Sequence, residues 1–175
     1  TVNGDPAGSL RVYRFDVASS QFTGLVGFYL MDKPGHAIGD FTPINDNEFI
    51  VIERDSSQAS SSGFKKLFKI DISKKDSQGF FAKQELANLM ALQDESDLNG
   101  DGSKVYTMPF VTIENVLVLD SQRVLVANDN NYPFSLGRPP ALDNNEMVVL
   151  QLDTPLDLDP HLGISSAMGL APNTV

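Results

Sequence analysis

The sequence predicts an all-β chain that contains one short helix. Its apolar runs are short, rich in Val, Ile, Phe and Tyr, and bounded by Gly, Pro, Asn, Asp or Ser, which is the pattern of strands separated by turns. Hydrophobic residues make up 41% of the 175 residues, which is enough for a packed core. A repeated pair of strands is the third observation, and it indicates how the strands are organised.

Seven segments have the composition of strands, and one segment has the spacing of a helix. The helix is predicted at Lys83–Leu92, where Leu86, Leu89 and Met90 fall at positions i, i+3 and i+4 and form one apolar stripe. In chain order, the predicted strands are Leu10–Val17, Gly24–Met31, Phe49–Arg54, Lys66–Ile72, Asn115–Leu119, Arg123–Asn128 and Glu146–Leu152.

An internal repeat relates the segment from Gly39 to Asp55 to the segment from Ile113 to Asp129. In each copy an acidic residue, Asp40 or Glu114, is followed fifteen residues later by an aspartate, Asp55 or Asp129. Two short apolar strands, joined by a turn of Asp, Asn, Ser or Gln, lie between them. We therefore expect the two pairs of acids to occupy equivalent places in the fold.

Four short strands in each unit of roughly 40 to 50 residues are typical of β-propeller blades. The predicted fold is a partial β-propeller of about two to three four-stranded antiparallel blades, with the helix in an insertion. A ring typically needs about four to eight blades, so the rest of a longer parent chain or a second copy would complete it. An all-β sandwich is the competing architecture. We treat residues 1–175 as one segment, with blade repeats in 10–153 and a C-terminal tail or linker in 154–175.

Charge and composition exclude several functional classes. The net charge of -10 disfavours binding to nucleic acid and to anionic membranes, whereas it favours cations or ligands bridged by cations. There are no cysteines, so disulfides, thiolate metal sites and a cysteine nucleophile are excluded. No apolar run is long enough to predict a membrane span. The start of the sequence lacks an initiator Met and a signal pattern, which predicts a segment cut from a longer precursor.

The repeated acids predict a calcium site. Equivalent loops of successive propeller blades meet at one face, and Ca²⁺ prefers carboxylate, amide and carbonyl oxygens. The candidates from the residues alone are Asp40, Glu53, Asp55, Glu114, Asp129, Asn128, Asn130 and Asn131. The alternative is that these side chains form ordinary turns at the strand ends.

A second candidate calcium site is the segment from Asp97 to Ser103. Asp97, Asn99 and Asp101 match the opening of an EF-hand loop, and Gly102 occupies its turn position. However, the twelfth position is Met108, where an EF-hand has a bidentate Glu. The segment is therefore either a shortened calcium site or a plain acidic turn.

Arginine and histidine give weaker signals. Arg54 lies between two acids, where its guanidinium would either bind a phosphate or carboxylate or pair with Glu53 or Asp55. Arg138 is a second candidate for substrate binding. His36 and His161 match no metal-binding spacing, so both are predicted to be surface loop residues. No motif for a serine hydrolase or a phosphate-binding loop is present.

Four motifs resemble the phytase-like family with esterase-like activity. They are Ala37-Ile-Gly-Asp-Phe, Phe49-Ile-Val-Ile-Glu-Arg-Asp55, Pro109-Phe-Val-Thr-Ile-Glu114 and Val126-Ala-Asn-Asp-Asn-Asn-Tyr-Pro133. The resemblance spans roughly Gly24 to Leu152 and covers the later, C-terminal part of the family domain. The lysine-rich phosphate pocket of true β-propeller phytases is not evident in this sequence.

The resemblance implies a secreted, periplasmic or cell-surface bacterial protein, related in architecture to calcium-dependent phytases. It implies an ester or phosphoester of small size as substrate and calcium as cofactor. We predict catalytic roles for Glu53, Arg54, Asp55, Glu114 and Asp129, and substrate binding by Asn128, Asn130, Asn131 and Arg138. Metal binding is predicted for Asp40, Asp97, Asn99 and Asp101. The alternative is a non-catalytic propeller module, stabilised by calcium, for binding or scaffolding.

Overall fold

The computed structural model describes residues 4–130, 138 and 145–163, and this part of the chain is all-β, with no helix. Its strands form several small antiparallel sheets, none of which closes on itself. The strands are β1 (Ser9–Asp16), β2 (Gln21–Leu30), β3 (Ala37–Pro43), β4 (Glu48–Arg54), β5 (Lys65–Lys75), β6 (Phe81–Asn88), β7 (Leu92–Gln93), β8 (Val105–Tyr106), β9 (Ile113–Val118), β10 (Arg123–Asn128) and β11 (Met147–Gln151).

The central layer is a four-stranded sheet with the order β3-β4-β5-β6. Its first turn is closed by Asn45, whose Oδ1 accepts hydrogen bonds from the backbone N–H groups of Asn47 and Glu48, at 2.9 Å each. Ile50 and Ile52 are buried on one face of β4, while Val51 is buried on the other. Because successive strand residues point to opposite faces, both faces of this sheet are covered.

A three-stranded sheet with the order β11-β10-β9 packs against one face of the central sheet. Its β9–β10 turn is closed by Asp120, whose Oδ1 accepts hydrogen bonds from the backbone N–H groups of Gln122 and Arg123. The largest apolar core of the described residues lies between the two sheets and includes the fully buried Ile52, Ile113 and Val124. Burial of these β-branched side chains is the main force that holds the two sheets together.

The hairpin of β1 and β2 packs against the other face of the central sheet and forms a second core. Tyr29 and Phe81 are buried there. The far end of the hairpin is different, since Phe15 and Phe22 are exposed and contact each other edge to face, with ring centroids 5.1 Å apart. The described residues therefore form three stacked layers: hairpin, central sheet and three-stranded sheet.

Strands β3 and β9, which are edge strands of the two larger sheets, lie against each other without forming a regular ladder. A carboxylate oxygen of Asp40 accepts a hydrogen bond from the backbone N–H of Val116 at 2.8 Å. The hydroxyl of Thr42 donates to the carbonyl of Val116 at 3.0 Å. These bonds satisfy backbone groups at the edge of β9. Asp40 thus joins the two sheets.

The predicted helix at Lys83–Leu92 is wrong. Residues Phe81–Asn88 form strand β6, which pairs with β5 and is followed by a turn. A β-bulge explains the misleading pattern: Leu67 faces Ala87 and Phe68 faces Glu85, so Leu86 is the extra residue. The bulge interrupts the period of two, and the remaining apolar spacing resembles that of a helix.

The seven predicted strands all coincide with observed ones, within a few residues at their ends. The two repeat copies fall on corresponding strands, since β3 and β4 carry the first and β9 and β10 the second. The number of propeller blades is not established by these sheets.

Residues 152–163 run across the turns of both sheets, where Leu156 N donates to Ser121 O and Asp159 N to Ile44 O. None of the described segments is a helix long and apolar enough to cross a membrane.

Candidate functional site

The longer connections of the fold gather at one end of the strands, which we name the loop end. This follows from the antiparallel order, because alternate connections emerge at alternate ends. The loop end comprises the connections 31–36, 55–64, 89–112 and 129–146, and the last of these is only partly described. The opposite end of the strands has the short turns 17–20, 44–47, 76–80 and 119–122. The predicted residues that lie in these connections or at the strand ends beside them are Glu53, Arg54, Asp55, Asp97, Asn99, Asp101, Glu114, Asn128, Asp129, Asn130 and Arg138. Asn131 lies outside the described residues.

Glu53 is fully buried between the central sheet and the hairpin. One carboxylate oxygen accepts hydrogen bonds from the hydroxyl of Tyr29 at 2.6 Å and from Nζ of Lys83 at 2.7 Å. The other oxygen accepts the backbone N–H of Asp32 at 2.7 Å and lies 2.6 Å from Nδ1 of His36. The carboxylate is therefore completely occupied by partners from three different segments.

Electrostatics keeps Glu53 ionised. Burial alone would raise the pKa of its carboxyl group, but the hydrogen bonds from Lys83, Tyr29, His36 and the backbone of Asp32 outweigh burial and lower the pKa. In the same cluster, burial and the neighbouring carboxylate raise the pKa of the Tyr29 hydroxyl. The Lys83 ammonium also pairs with Asp32 at 2.6 Å and lies 3.9 Å from the centroid of the Phe68 ring.

The surface position predicted for His36 is wrong. Its side chain is only 6% exposed, because its ring stacks near Phe64, with centroids 4.3 Å apart, and pairs with Glu53. No spacing motif indicates this pair, whose residues are seventeen positions apart in the chain. His161 is exposed, as the sequence predicts.

Arg54 points to the opposite face from Glu53, toward the three-stranded sheet. Its Nη2 donates to a carboxylate oxygen of Glu114 at 2.9 Å, and the two side chains are 14% and 38% exposed. Its Nε is buried and has no hydrogen-bond partner among the described residues. A buried donor without an acceptor is costly, so this guanidinium is poised to bind one more oxygen.

Asp55 holds a buried lysine. Nζ of Lys65 is inaccessible to solvent and donates to a carboxylate oxygen of Asp55 at 2.5 Å and to the backbone carbonyl of Ser57 at 2.9 Å. Burial alone would raise the pKa of the Asp55 carboxyl, but the hydrogen bonds from Lys65, Ser57 and the backbone of Phe64 outweigh it and hold this pKa far below its usual range. Asp55 therefore anchors the 55–64 loop.

The end of β10 corresponds in the repeat to the end of β4, but its side chains make different contacts. Asn128 is buried, and its side chain accepts the backbone N–H of Glu146 at 2.7 Å and donates to the carbonyl of Asp129 at 3.1 Å. The backbone N–H of Asp129 donates to the carbonyl of Thr112 at 2.8 Å, while Asp129 itself is exposed. Asn130 is partly buried. Asn128 is thus a structural residue, whereas Asp129 presents its carboxylate to solvent.

Arg138 is paired within the protein. Its guanidinium donates to Glu146 and to the backbone carbonyl of Thr107, and it lies 4.8 Å from the centroid of the Tyr106 ring. The Tyr106 hydroxyl donates to the same glutamate. Burial and this glutamate raise the pKa of Tyr106 to about 12. These contacts tie Arg138 to β8 and to the residue that follows it.

The acidic loop between β7 and β8 is compact. Both carboxylate oxygens of Asp97 accept the backbone N–H of Gly102, at 3.2 and 3.1 Å, and the side chain of Asn99 donates to Asp101 at 3.0 Å. Met108, at the twelfth position, is fully buried in the core. The oxygen types suit calcium, but the loop lacks the closing carboxylate of an EF-hand.

The predicted site residues do not converge on one point. Glu53 and Arg54 face opposite sides of β4, Asp55 binds Lys65, and Asp40 lies in mid-strand, bound to Val116. Within residues 4–130, 138 and 145–163, no three acidic or histidine side chains are grouped so as to hold a metal. Sequence reasoning missed Lys65 and Lys83, the two lysines that neutralise these acids, because isolated lysines carry no motif.

Comparison with known proteins gives one match. The family model for the phytase-like family, described as esterase-like activity of phytase, matches residues 1–132. The match begins earlier than the motifs indicated and ends before β11. No curated protein and no solved structure matches the chain. Because the family model covers most of the sequence, including Glu53, Arg54, Asp55 and Glu114, the chain belongs to the phytase-like family.

Proposed function

We propose that the loop end forms part of the anion-binding site of a calcium-dependent phosphoester or ester hydrolase. The observation that carries the proposal is Arg54, whose buried Nε has no acceptor among the described residues while its Nη2 binds the partly exposed Glu114. A phosphate or carboxylate oxygen that enters beside Glu114 would satisfy this donor. Membership of the phytase-like family supports a module of the hydrolase type.

The proposed architecture is an open part of a β-propeller. In its support, the hairpin, the four-stranded sheet and the three-stranded sheet stack face to face, and the edge strands β3 and β9 of the two larger sheets are adjacent. In a propeller built from such a stack, the loop end would form one face of the ring. Arg54 of the central sheet would lie on that face together with Glu114 of the three-stranded sheet and Asp129, which directly follows β10. The parent protein is further proposed to be exported to the periplasm, cell surface or medium, which cell fractionation with an antibody tests.

Calcium has two proposed places. At the loop end, Glu114 and Asp129 offer carboxylates, and a bound cation would supply charge neutralisation of a phosphate and an activated water. No third acidic or histidine side chain among the described residues is grouped with these two so as to hold a metal, so further oxygen donors are required. In the β7–β8 loop, Asp97, Asn99 and Asp101 would hold a structural ion.

Hydrolysis of p-nitrophenyl phosphate, p-nitrophenyl acetate and phytate, with calcium or with EDTA, tests the proposal. We expect turnover of at least one substrate to depend on calcium. Arg54→Gln should lower kcat/KM by about 10²- to 10³-fold, because it removes the charged hydrogen-bond donors that would stabilise the negative charge of the substrate in the transition state. Arg54→Lys should rescue only part of the loss, because lysine lacks the planar fork.

The matched control is Arg123→Gln, which removes an exposed arginine paired with Asp120 at the opposite end of the strands. It should leave kcat/KM unchanged. Equal losses in the two variants, or no turnover of any substrate by the unaltered chain with calcium present, would reject the hydrolase proposal.

Calcium should also stabilise the fold. If the β7–β8 loop binds with a Kd of about 10⁻⁴ to 10⁻³ M, as extracellular calcium modules do, about 10 mM Ca²⁺ adds roughly 1–3 kcal/mol. The Tm should then rise by several degrees with Ca²⁺ and less with Mg²⁺, as measured by differential scanning fluorimetry. The variant with both Asp97→Asn and Asp101→Asn should lose the effect, and an identical shift in that variant would place the ion elsewhere.

A second candidate function is a non-catalytic module for binding or scaffolding. It is favoured by the ion pairs of Glu53 with Lys83 and of Asp55 with Lys65, which engage two of the predicted catalytic acids inside the protein. This candidate predicts the calcium-dependent rise in Tm without hydrolysis of any ester. The two experiments together therefore distinguish the two functions.

A further inference from the structure

One edge of the three-stranded sheet, that of β11, is covered by no other strand of the described residues, and we name it the free edge. In the central sheet, β5 is followed by β6, which covers its outer edge, whereas in the described residues β11 pairs only with β10. Leu152 N donates to Gln122 O and Asn128 N donates to Glu146 O. Since hydrogen-bond directions alternate along an antiparallel strand, the N–H and C=O groups of Met147, Val149 and Gln151 point away from β10.

The chain itself does not cover this edge within its described part. After β11, residues 152–163 leave the sheet and run toward the turns, as the bonds of Leu156 to Ser121 and of Asp159 to Ile44 show. Met147 and Val149 remain 71% and 54% exposed. A row of unpaired backbone groups flanked by exposed apolar side chains is the ordinary template for addition of a strand.

A groove lies beside the free edge. Its volume is about 690 Å³, and it runs between the outer strands β6 and β11. Leu86, Leu92 and Leu150 line it, and all three are partly buried against the main core. An added strand would pair with β11 and place every second side chain over these leucines.

We propose that the free edge of β11 binds an extended peptide strand, antiparallel to β11, whose alternate side chains are apolar and fill the groove against β6. The correspondence of β3, β4 and β5 with β9, β10 and β11 argues for this occupant, because the bound strand would take the place that β6 has in the central sheet. The added strand continues the existing ladder. The inference does not involve Arg54 and is independent of the proposed hydrolase activity.

Binding of two fluorescent peptides tests the proposal: one with the sequence of β6, Phe81–Asn88, and one with alternating Val and Thr. At least one should bind saturably to the full chain. Each is also made with N-methyl groups on one or the other set of alternate residues. Methylation should abolish binding only when it falls on the residues whose N–H groups face β11, because only those groups form hydrogen bonds with β11.

Val149→Pro removes an outward N–H and should weaken binding at least about tenfold, whereas Val149→Thr, which keeps it, should bind like the original chain. Urea unfolding verifies that both variants fold, and the methylated peptides test the original chain if Val149→Pro does not. Failure of both peptides to bind at about millimolar concentration, well above the weak limit of specific recognition, overturns the proposal. So does equal loss with both methylated sets. A dimer that Val149→Pro dissociates, without peptide binding, would identify a second copy as the occupant instead.

Discussion

Replacing Glu53 with alanine is expected to lower the free energy of unfolding by about 3–5 kcal/mol, because it removes one partner of a buried ion pair. The substitution leaves the Lys83 ammonium without its fully buried counterion and leaves the Tyr29 hydroxyl and the backbone N–H of Asp32 without their acceptor. Each buried donor then carries its own cost of desolvation. Urea unfolding, followed by circular dichroism, measures the loss.

The matched control is Glu85→Ala. Glu85 pairs with Lys66 at 2.6 Å, but its side chain is 45% exposed, so the change should be at most about 1 kcal/mol. Similar small losses in both variants would mean that the Glu53 cluster does not hold the hairpin to the central sheet.

Acid unfolding provides a second measurement on the Glu53→Ala variant. The folded-state pKa of Glu53 is lowered, so its contribution to stability is complete above the pKa of the unfolded chain, about 4, and is lost as pH falls below that value. As pH falls below about 4, the unaltered chain should therefore lose stability more steeply than Glu53→Ala. Parallel curves would show that Glu53 does not titrate with folding.

Much of the fold could be predicted because its signals are local. The turns at Asn45 and Asp120 are formed by side chains that bond the backbone two or three residues ahead, so their positions are written in the sequence. The repeat correctly related the β3–β4 pair to the β9–β10 pair, because each copy is a local pattern of two strands and a turn. Strand β6 could not be recognised, since the bulge at Leu86 arises from its pairing with β5 and not from its own residues.

The candidate site was predictable in place but not in chemistry. The acids at the ends of β4 and β10 do lie at the loop end, because strand order alone decides that. Their partners come from distant segments: Tyr29 and Lys83 are 24 and 30 residues from Glu53, and Glu114 is 60 residues from Arg54. Only packing of the layers determines whether a carboxylate meets a lysine, a backbone N–H or solvent.

Close contact between the sheets depends on Gly39, and Gly39→Ala is expected to lower the free energy of unfolding by about 1–3 kcal/mol or more. A Cβ atom at this position would lie 2.2 Å from the carbonyl oxygen of Ile113 and 3.1 Å from Cγ2 of Ile52. The first of these atoms belongs to the backbone of β9, so it cannot move unless the whole strand moves. Strands β3 and β9 would have to separate.

Separation of these strands has a local signature that distinguishes it from general destabilisation. The N–H of Val116 is bonded to Asp40 across the sheet junction, so its hydrogen exchange in Gly39→Ala should accelerate more than that of Ile52 N–H, inside the central sheet. Ala37→Ser adds one heavy atom at an exposed position of the same strand and should change stability by less than about 0.5 kcal/mol. Unchanged exchange at Val116 in a folded Gly39→Ala variant would show that the two sheets are not held together at this glycine.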